Sequence, residues 1–304
     1  MGHFLIFLII KFFIMISRKQ FLISSGITVA GAMMGADVFA KGFNKNRIGL
    51  QLYSLREEVP AGLEQVFKKI AAAGYNSVEM YGFNTKDAYF KTSAKEVAAL
   101  LKANKIISPS GHYQLDLFDN DGQQTIDAAE ELGHKYIVIP HLAEPIRKSL
   151  DDYKVVAERI NKAALLCKKN NIKLAYHNHD FEFKKWDGDV TGYDILLKEC
   201  DRGLVDFEMD LFWVVTAGHS PIELFKQHPG RFKMWHVKDM DKTDTKKQTE
   251  VGSGSIDFKA IFAKAKLSGL EYFYVEQENL PVPGDENIRK SINYLKKNIL
   301  AGLK

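Results

Sequence analysis

Lys173-Leu174-Ala175-Tyr176-His177-Asn178-His179 follows an amphipathic, helix-spaced run over 153–169. The first residues of this stretch are mostly apolar and suit a buried strand. The last three are polar, and two of them are imidazoles. A helix, a short buried strand and then polar groups at the strand's C-terminal end make one unit of a parallel α/β fold.

The unit repeats in both directions. Strands are expected at 48–53, 77–80, 107–111, 136–140, 173–177, 204–209, 233–237 and 272–275. Helices are expected at 63–73, 94–103, 125–132, 153–169, 193–198, 222–227, 258–266 and 287–299. Leu63, Val66, Phe67 and Ile70 show the i, i+3, i+4, i+7 stripe of a helix packed on a sheet. Gly74, Gly133 and Gly269 stand between a helix and the next strand, where a C-terminal stop belongs. Eight alternating units are the number that closes a (β/α)8 TIM barrel. A doubly wound open sheet is the competing arrangement. It usually carries a Gly-rich phosphate loop after its first strand, whereas Ser54-Leu55-Arg56-Glu57 follows here.

The chain has 304 residues, 46% of them hydrophobic and 26% charged, the balance of a globular protein. That length allows two domains, but no linker separates them. Residues 41–304 are therefore read as a single barrel. The first 40 residues read as an export signal or N-terminal anchor. Ser17-Arg18-Lys19-Gln20-Phe21-Leu22 leads into an apolar stretch that ends in Val38-Phe39-Ala40, the small-residue pattern of a cleavage site. The basic run is similar to a twin-arginine signal with Lys in the second place, and Met15 is an alternative start. Export to the periplasm is expected, and a cytoplasmic location if this segment is not a signal.

Lys11, Arg18 and Lys19 against Asp37 account for half of the formal net charge of +4. The body is nearly neutral, which argues against nucleic acid as a partner. No later apolar run reaches the ~20 residues of a membrane span. Cys167 and Cys200 make no disulfide framework.

Chemistry in a TIM barrel gathers where strands end. The expected strand ends carry Gln51 and Tyr53, Glu79, His112, His141, the His177-Asn178-His179 run, Asp210, His236 and Lys238, and Glu276 with Glu278. Five of nine histidines fall there. Imidazoles and carboxylates converging on one mouth suit a divalent metal such as Mn²⁺, Co²⁺, Zn²⁺ or Mg²⁺. His134 and His141 are read as structural.

With these residues in view, the sequence resembles the xylose-isomerase-like TIM-barrel superfamily. Within it, the chain is similar to the sugar phosphate isomerase/epimerase branch, which also holds inosose dehydratases and 3-ketoglycoside lyases. The resemblance runs from about Arg47 to Leu300. It rests on Gly49-Leu50-Gln51-Leu52-Tyr53-Ser54, Val78-Glu79, Ser110-Gly111-His112, Tyr176-His177-Asn178-His179 and Met209-Asp210. It continues in Trp235-His236-Val237-Lys238-Asp239, Gly252-Ser253-Gly254-Ser255-Ile256-Asp257 and Val275-Glu276.

The resemblance implies a metal held at the ends of strands five to eight, usually by Glu, Asp, His and Glu. Asp210, His236 and Glu276 match in kind. The strand-five place holds His177, with His179 and Glu182 as alternatives. Glu79, His112, His179 and Glu276 are the implied acid/base groups, and Gln51, Tyr53, Trp213 and Lys238 the implied substrate contacts. The implied reaction begins with proton abstraction α to the carbonyl of a sugar or keto-sugar. Isomerisation or epimerisation is the first expectation. A lyase or dehydratase acting on a 3-keto sugar or 3-ketoglycoside is the second, because a His at strand five removes the matched carboxylate pair. A carbohydrate-binding barrel without catalysis is the alternative of another class. A small carbohydrate is the expected partner, with self-association into a homo-oligomer allowed.

Overall fold

Eight parallel strands close into a barrel in the computed structural model, which describes residues 43–119, 122–278 and 284–303. They are β1 (Gly49–Gln51), β2 (Ser77–Met80), β3 (Ile107–His112), β4 (Tyr136–Ile139), β5 (Lys173–His177), β6 (Val205–Asp210), β7 (Phe232–Val237) and β8 (Tyr272–Val275). Each pairs with its sequence neighbour, and β1 pairs with β8 to close the ring. The helices lie between them: α1 (Leu63–Ala73), α2 (Ala94–Ala103), α3 (Gln123–Glu131), α4 (Leu150–Lys169), α5 (Gly192–Glu199), α6 (Leu211–Thr216), α7 (Pro221–Gln227), α8 (Phe258–Phe262), α9 (Ala265–Ser268) and α10 (Gly284–Tyr294).

Helix α1 shows how sequence makes the outer layer. Its stripe of Leu63, Val66, Phe67 and Ile70 is buried, and Gly74 ends it in the left-handed region at φ 99°. The main core lies between such stripes and the outward strand residues, among them Leu50, Ile137, Leu174, Phe207 and Trp235.

Strand alternation sends every second residue inward. A small inner cluster of Tyr136, Val138, Ala175, Met234 and Tyr274 fills the barrel. The next inward residues toward the C-terminal ends are polar: Gln51, Glu79, Ser110, Glu208, His177 and His236, all buried. Gly49 belongs to this packing. A Cβ there would lie 2.3 Å from the Tyr274 ring.

Several elements differ from expectation. The first strand stops at Gln51, not Tyr53, because Gln51 Oε1 accepts the Tyr53 N–H and starts a 3-10 turn, Leu52–Leu55. Strand β6 runs one residue further, through Asp210. The helix expected over 258–266 is broken into α8 and α9, and that over 287–299 becomes α10 followed by a π turn, Leu295–Ile299. Helix α6 was not expected. Asp210 caps it, accepting the Trp213 N–H at 3.0 Å. Two short ribbons, Phe83–Asn84 with Ala88–Tyr89 and Asp239–Met240 with Gln248–Thr249, stand above the mouth outside the barrel hydrogen-bonding.

The expected export segment lies outside the described residues. Among the described residues, no helix is long and apolar enough to cross a membrane.

Candidate active site

Register assembles the site. In β5 and β6, His177 is opposite Glu208, and in β6 and β7, Asp210 is opposite His236. In β1, β2 and β3, Gln51, Glu79 and Ser110 line up. Six strand ends therefore bring their inward groups to one level.

The deepest part is a lattice of carboxylates and imidazoles. Glu79 Oε2 accepts from Gln51 Nε2 at 2.7 Å and lies 2.6 Å from His236 Nε2, while Glu79 Oε1 accepts from Ser110 Oγ at 2.6 Å. Glu208 Oε2 lies 2.9 Å from His112 Nε2, 3.0 Å from His177 Nδ1 and 3.2 Å from His236 Nε2. The other ring nitrogen of His236, Nδ1, is 3.0 Å from Glu276 Oε2. Lys238 is 1% exposed, with Nζ 2.7 Å from Glu276 Oε2, 2.7 Å from Glu278 Oε1 and 3.3 Å from Asp210 Oδ2.

These contacts set the charges. Burial would raise the Glu79 carboxyl, but His112 and His236 outweigh it and hold it well below the usual range. Burial and the Glu79 charge push Glu208 up to about 7, against the pull of His236 and His112. His112 is raised to about 9, the two carboxylates overcoming its desolvation. Burial also opposes the Lys238 charge, yet Asp210, Glu276 and Glu278 raise its pKa further. His179 is lowered to about 3 by burial and by the Lys238 charge.

A cavity of about 390 Å³ opens above this lattice. Its walls include Tyr53, Tyr81, His112, His141, His177, His179, Lys238, Glu276 and Glu278. That volume suits a small ligand. Gln51, Glu79 and Trp213, expected at the substrate, do not line it. Gln51 and Glu79 are fully buried in the lattice beneath, and Trp213 lies behind His179, with Lys238 Nζ 5.5 Å from its ring centre. His141, read as structural, stands in the wall edge-on to His179. His134 is buried between Ser108 and Tyr113.

Glu182 does not reach the mouth. It is buried behind β5, accepting from Tyr176 Oη at 2.6 Å and from the His179 N–H at 2.9 Å. It fixes the turn that presents His179. Asp239 is equally structural. It accepts the backbone N–H groups of Gly252, Gly254 and Ile256, so the Gly-rich run after β7 wraps around one carboxylate.

Glu208 was not anticipated. It lies two residues before Asp210 and therefore on the same strand face, which is the signal that would have found it. The donors present fit a divalent cation in two overlapping groups: His112, His177, Glu208 and His236, and Asp210, His236 and Glu276. Glu208 Oε1 is buried without a hydrogen-bond partner, which leaves an electron pair for an ion.

The family model described as the xylose isomerase-like TIM barrel matches residues 67–298. The chain belongs to this family. An inosose dehydratase of Clostridium beijerinckii is 24% identical over 269 residues, covering 77% of this chain and 89% of that protein. The crystal structure of a sugar phosphate isomerase/epimerase from Parabacteroides distasonis is 29% identical, with a TM-score of 0.74 over 83% of this chain and 94% of that one. The IOLI protein, solved with a zinc atom, shares the fold at 17% identity and a TM-score of 0.62, over 81% of this chain and 95% of that one. The chain is thus a xylose-isomerase-like sugar-processing enzyme whose mouth has donors for a metal.

Proposed function

We propose that the enzyme removes a proton α to the carbonyl of a keto-sugar and expels the β-oxygen substituent, as a dehydratase or 3-ketoglycoside lyase. One observation carries the reading. The strand-five wall offers imidazoles, His177 and His179, in place of one of the two matched carboxylates that would favour reversible epimerisation. Similarity to inosose dehydratases supports it.

His179 is the proton acceptor. It lines the cavity, and its lowered pKa keeps the ring neutral at neutral pH, as a proton acceptor requires. The Glu182 contact to its backbone aims it. Lys238 is the fixed positive charge of the cavity, set to stabilise the oxygen on which charge develops. A divalent cation held among His112, His177, His236 and the neighbouring carboxylates would supply further charge of the same sign. As the C–H electron pair forms the C=C bond, the β C–O bond breaks. The proton on His179 then returns to the departing oxygen, releasing water or an alcohol, and the enzyme ends in its starting protonation state.

The ligand is an unphosphorylated keto-sugar. Lys238 is the only Lys or Arg in the described cavity wall, and three carboxylates already claim it. Export to the periplasm, where sugar phosphates are scarce, fits the same choice. The isomerase/epimerase reading draws its support from the Parabacteroides distasonis structure.

The test is a panel of inososes, 3-keto sugars and 3-ketoglycosides with metal-loaded enzyme in deuterated water, followed by NMR. Elimination, with an enone or a released aglycone, is expected. Deuterium entering the α position with epimer formation and no elimination would replace this reading with the isomerase one. Binding without any conversion would leave a carbohydrate-binding barrel.

A further inference from the structure

Three of the ligands implied by the family pattern, Asp210, His236 and Glu276, lie close enough to share an ion, but a lysine stands between two of them and the fourth, His177, turns elsewhere. Asp210 and Glu276 already share a cation, the Lys238 ammonium, buried with them. A divalent ion between these two carboxylates would meet that positive charge within a few ångströms in a desolvated site, where repulsion is strong. His177 does not complete that group. Its Nε2 is 3.9 Å from Asp210 Oδ2, while its Nδ1 turns to Glu208 at 3.0 Å.

Deeper in the barrel the geometry differs. Three imidazole nitrogens from three strands, His112 Nε2, His177 Nδ1 and His236 Nε2, surround the single oxygen Glu208 Oε2 at 2.9, 3.0 and 3.2 Å. Metal–ligand bonds of about 2.0–2.2 Å at tetrahedral angles put neighbouring donors roughly 3.3–3.6 Å apart, and these four donors all lie within 4.8 Å of one another. Glu79 Oε2, 2.6 Å from His236 Nε2 and 3.2 Å from His112 Nε2, is a fifth donor at the same place. Glu208 Oε1 is buried and unpartnered.

The outer nitrogen of His236 agrees with this. A metal-binding imidazole usually donates its other N–H to a carboxylate. His236 Nδ1 has Glu276 Oε2 at 3.0 Å in that position.

We propose that the resident divalent cation of this chain is held in the barrel interior by His112, His177, His236 and Glu208, and that Lys238 takes the place of a metal between Asp210 and Glu276. Three imidazoles and a carboxylate favour Zn²⁺ or Co²⁺ over Mg²⁺. In this arrangement Glu276 orients His236 instead of ligating. The assignment rests on this mouth being the active site, not on elimination being the reaction.

The test uses full-length protein stripped with chelator and titrated with Zn²⁺ and with Co²⁺ in the absence of substrate. Equilibrium dialysis with metal analysis gives stoichiometry and affinity, and the Co²⁺ visible spectrum reports coordination. One ion per chain is expected. Glu208→Gln, which preserves shape, and His112→Ala should each weaken binding about 100-fold or more, beyond the effect of losing a supporting contact. Asp210→Asn should weaken it less than about tenfold. Circular dichroism and melting confirm folding, and His112→Gln replaces His112→Ala if the latter does not fold. An Asp210→Asn loss as large as that of Glu208→Gln overturns the assignment, as does a wild-type protein that binds no ion. Because no substrate is present, either outcome leaves the product assay above to be judged separately.

Discussion

Lys238 Nζ lies 2.7 Å from Glu276 Oε2, and both groups are buried. The contact makes Lys238 the counter-charge for Asp210, Glu276 and Glu278 together. Removing one partner of a buried ion pair leaves the other desolvated and unpaired, which costs about 3–5 kcal/mol. Lys238→Met should therefore lower the unfolding free energy of metal-free protein by about 3–5 kcal/mol in urea titration. Adding Glu276→Gln to Lys238→Met should recover part of the loss. A single-variant loss below about 1 kcal/mol, the value of an exposed pair, would show that the mouth is wetter than this geometry implies.

His179 faces the cavity from a turn whose position Glu182 fixes, so its imidazole can be removed without disturbing the barrel. Positioned proton transfer is worth about 10²–10⁴-fold in rate. His179→Ala should slow α-deuterium exchange of a converted keto-sugar by that range, with melting temperature nearly unchanged. Exchange at the wild-type rate would move the proton acceptor elsewhere, with His177 next in the wall.

Much of the fold was legible because its signals are local. Strands β5 and β8 and helices α1 and α2 fall at the expected residues. Their apolar periods and flanking turn residues agree with the packing they enter. The misplaced groups depend on particular side-chain contacts, one local and the others between strands. Tyr53 left β1 because Gln51 caps the turn with its own side chain. Glu208 was passed over because a carboxylate inside a strand looks unfavourable until three imidazoles from other strands are placed around it. Lys238 was read as a substrate contact, without its three carboxylate partners. Only closure of the barrel shows it reaching Asp210 on one neighbouring strand and Glu276 beyond the other. The short ribbons near the mouth, two residues per strand, are below the length at which alternation can be read.

Asp239 gathers the Gly-rich loop through three backbone N–H groups, and Gly254 sits against it. A Cβ on Gly254 would lie 2.2 Å from Met240 O and 2.3 Å from Asp239 Oδ1. Gly254→Ala must therefore push the loop off the carboxylate. Asp239→Ala removes the acceptor and leaves the buried Ile256 N–H unpaired, at about 1–3 kcal/mol, and frees the half-buried Gly252 and Gly254 contacts. Both variants should raise hydrogen exchange across 250–256 while amides of β4 and β5 keep their protection. Unchanged exchange in that loop would mean that Asp239 does not anchor it.

His134 sets a pH dependence of stability away from the catalytic groups. It is buried, with Nε2 3.0 Å from Ser108 Oγ and Nδ1 3.1 Å from Tyr113 Oη. Burial lowers its pKa from 6.5 to about 3, with the Glu79 charge opposing. The folded protein keeps the ring neutral where the unfolded chain binds a proton. Its contribution to stability is therefore complete above pH 6.5 and is lost as pH falls toward 3, by up to about 1.4 kcal/mol per unit. At pH 5 the loss is about 2 kcal/mol. Other groups titrate over the same range, so the comparison is with His134→Gln, which cannot charge. From pH 7 to pH 5 the wild type should lose about 2 kcal/mol more unfolding free energy than this variant. Parallel curves for the two proteins would mean that the folded barrel accepts a proton on His134 as readily as the unfolded chain does.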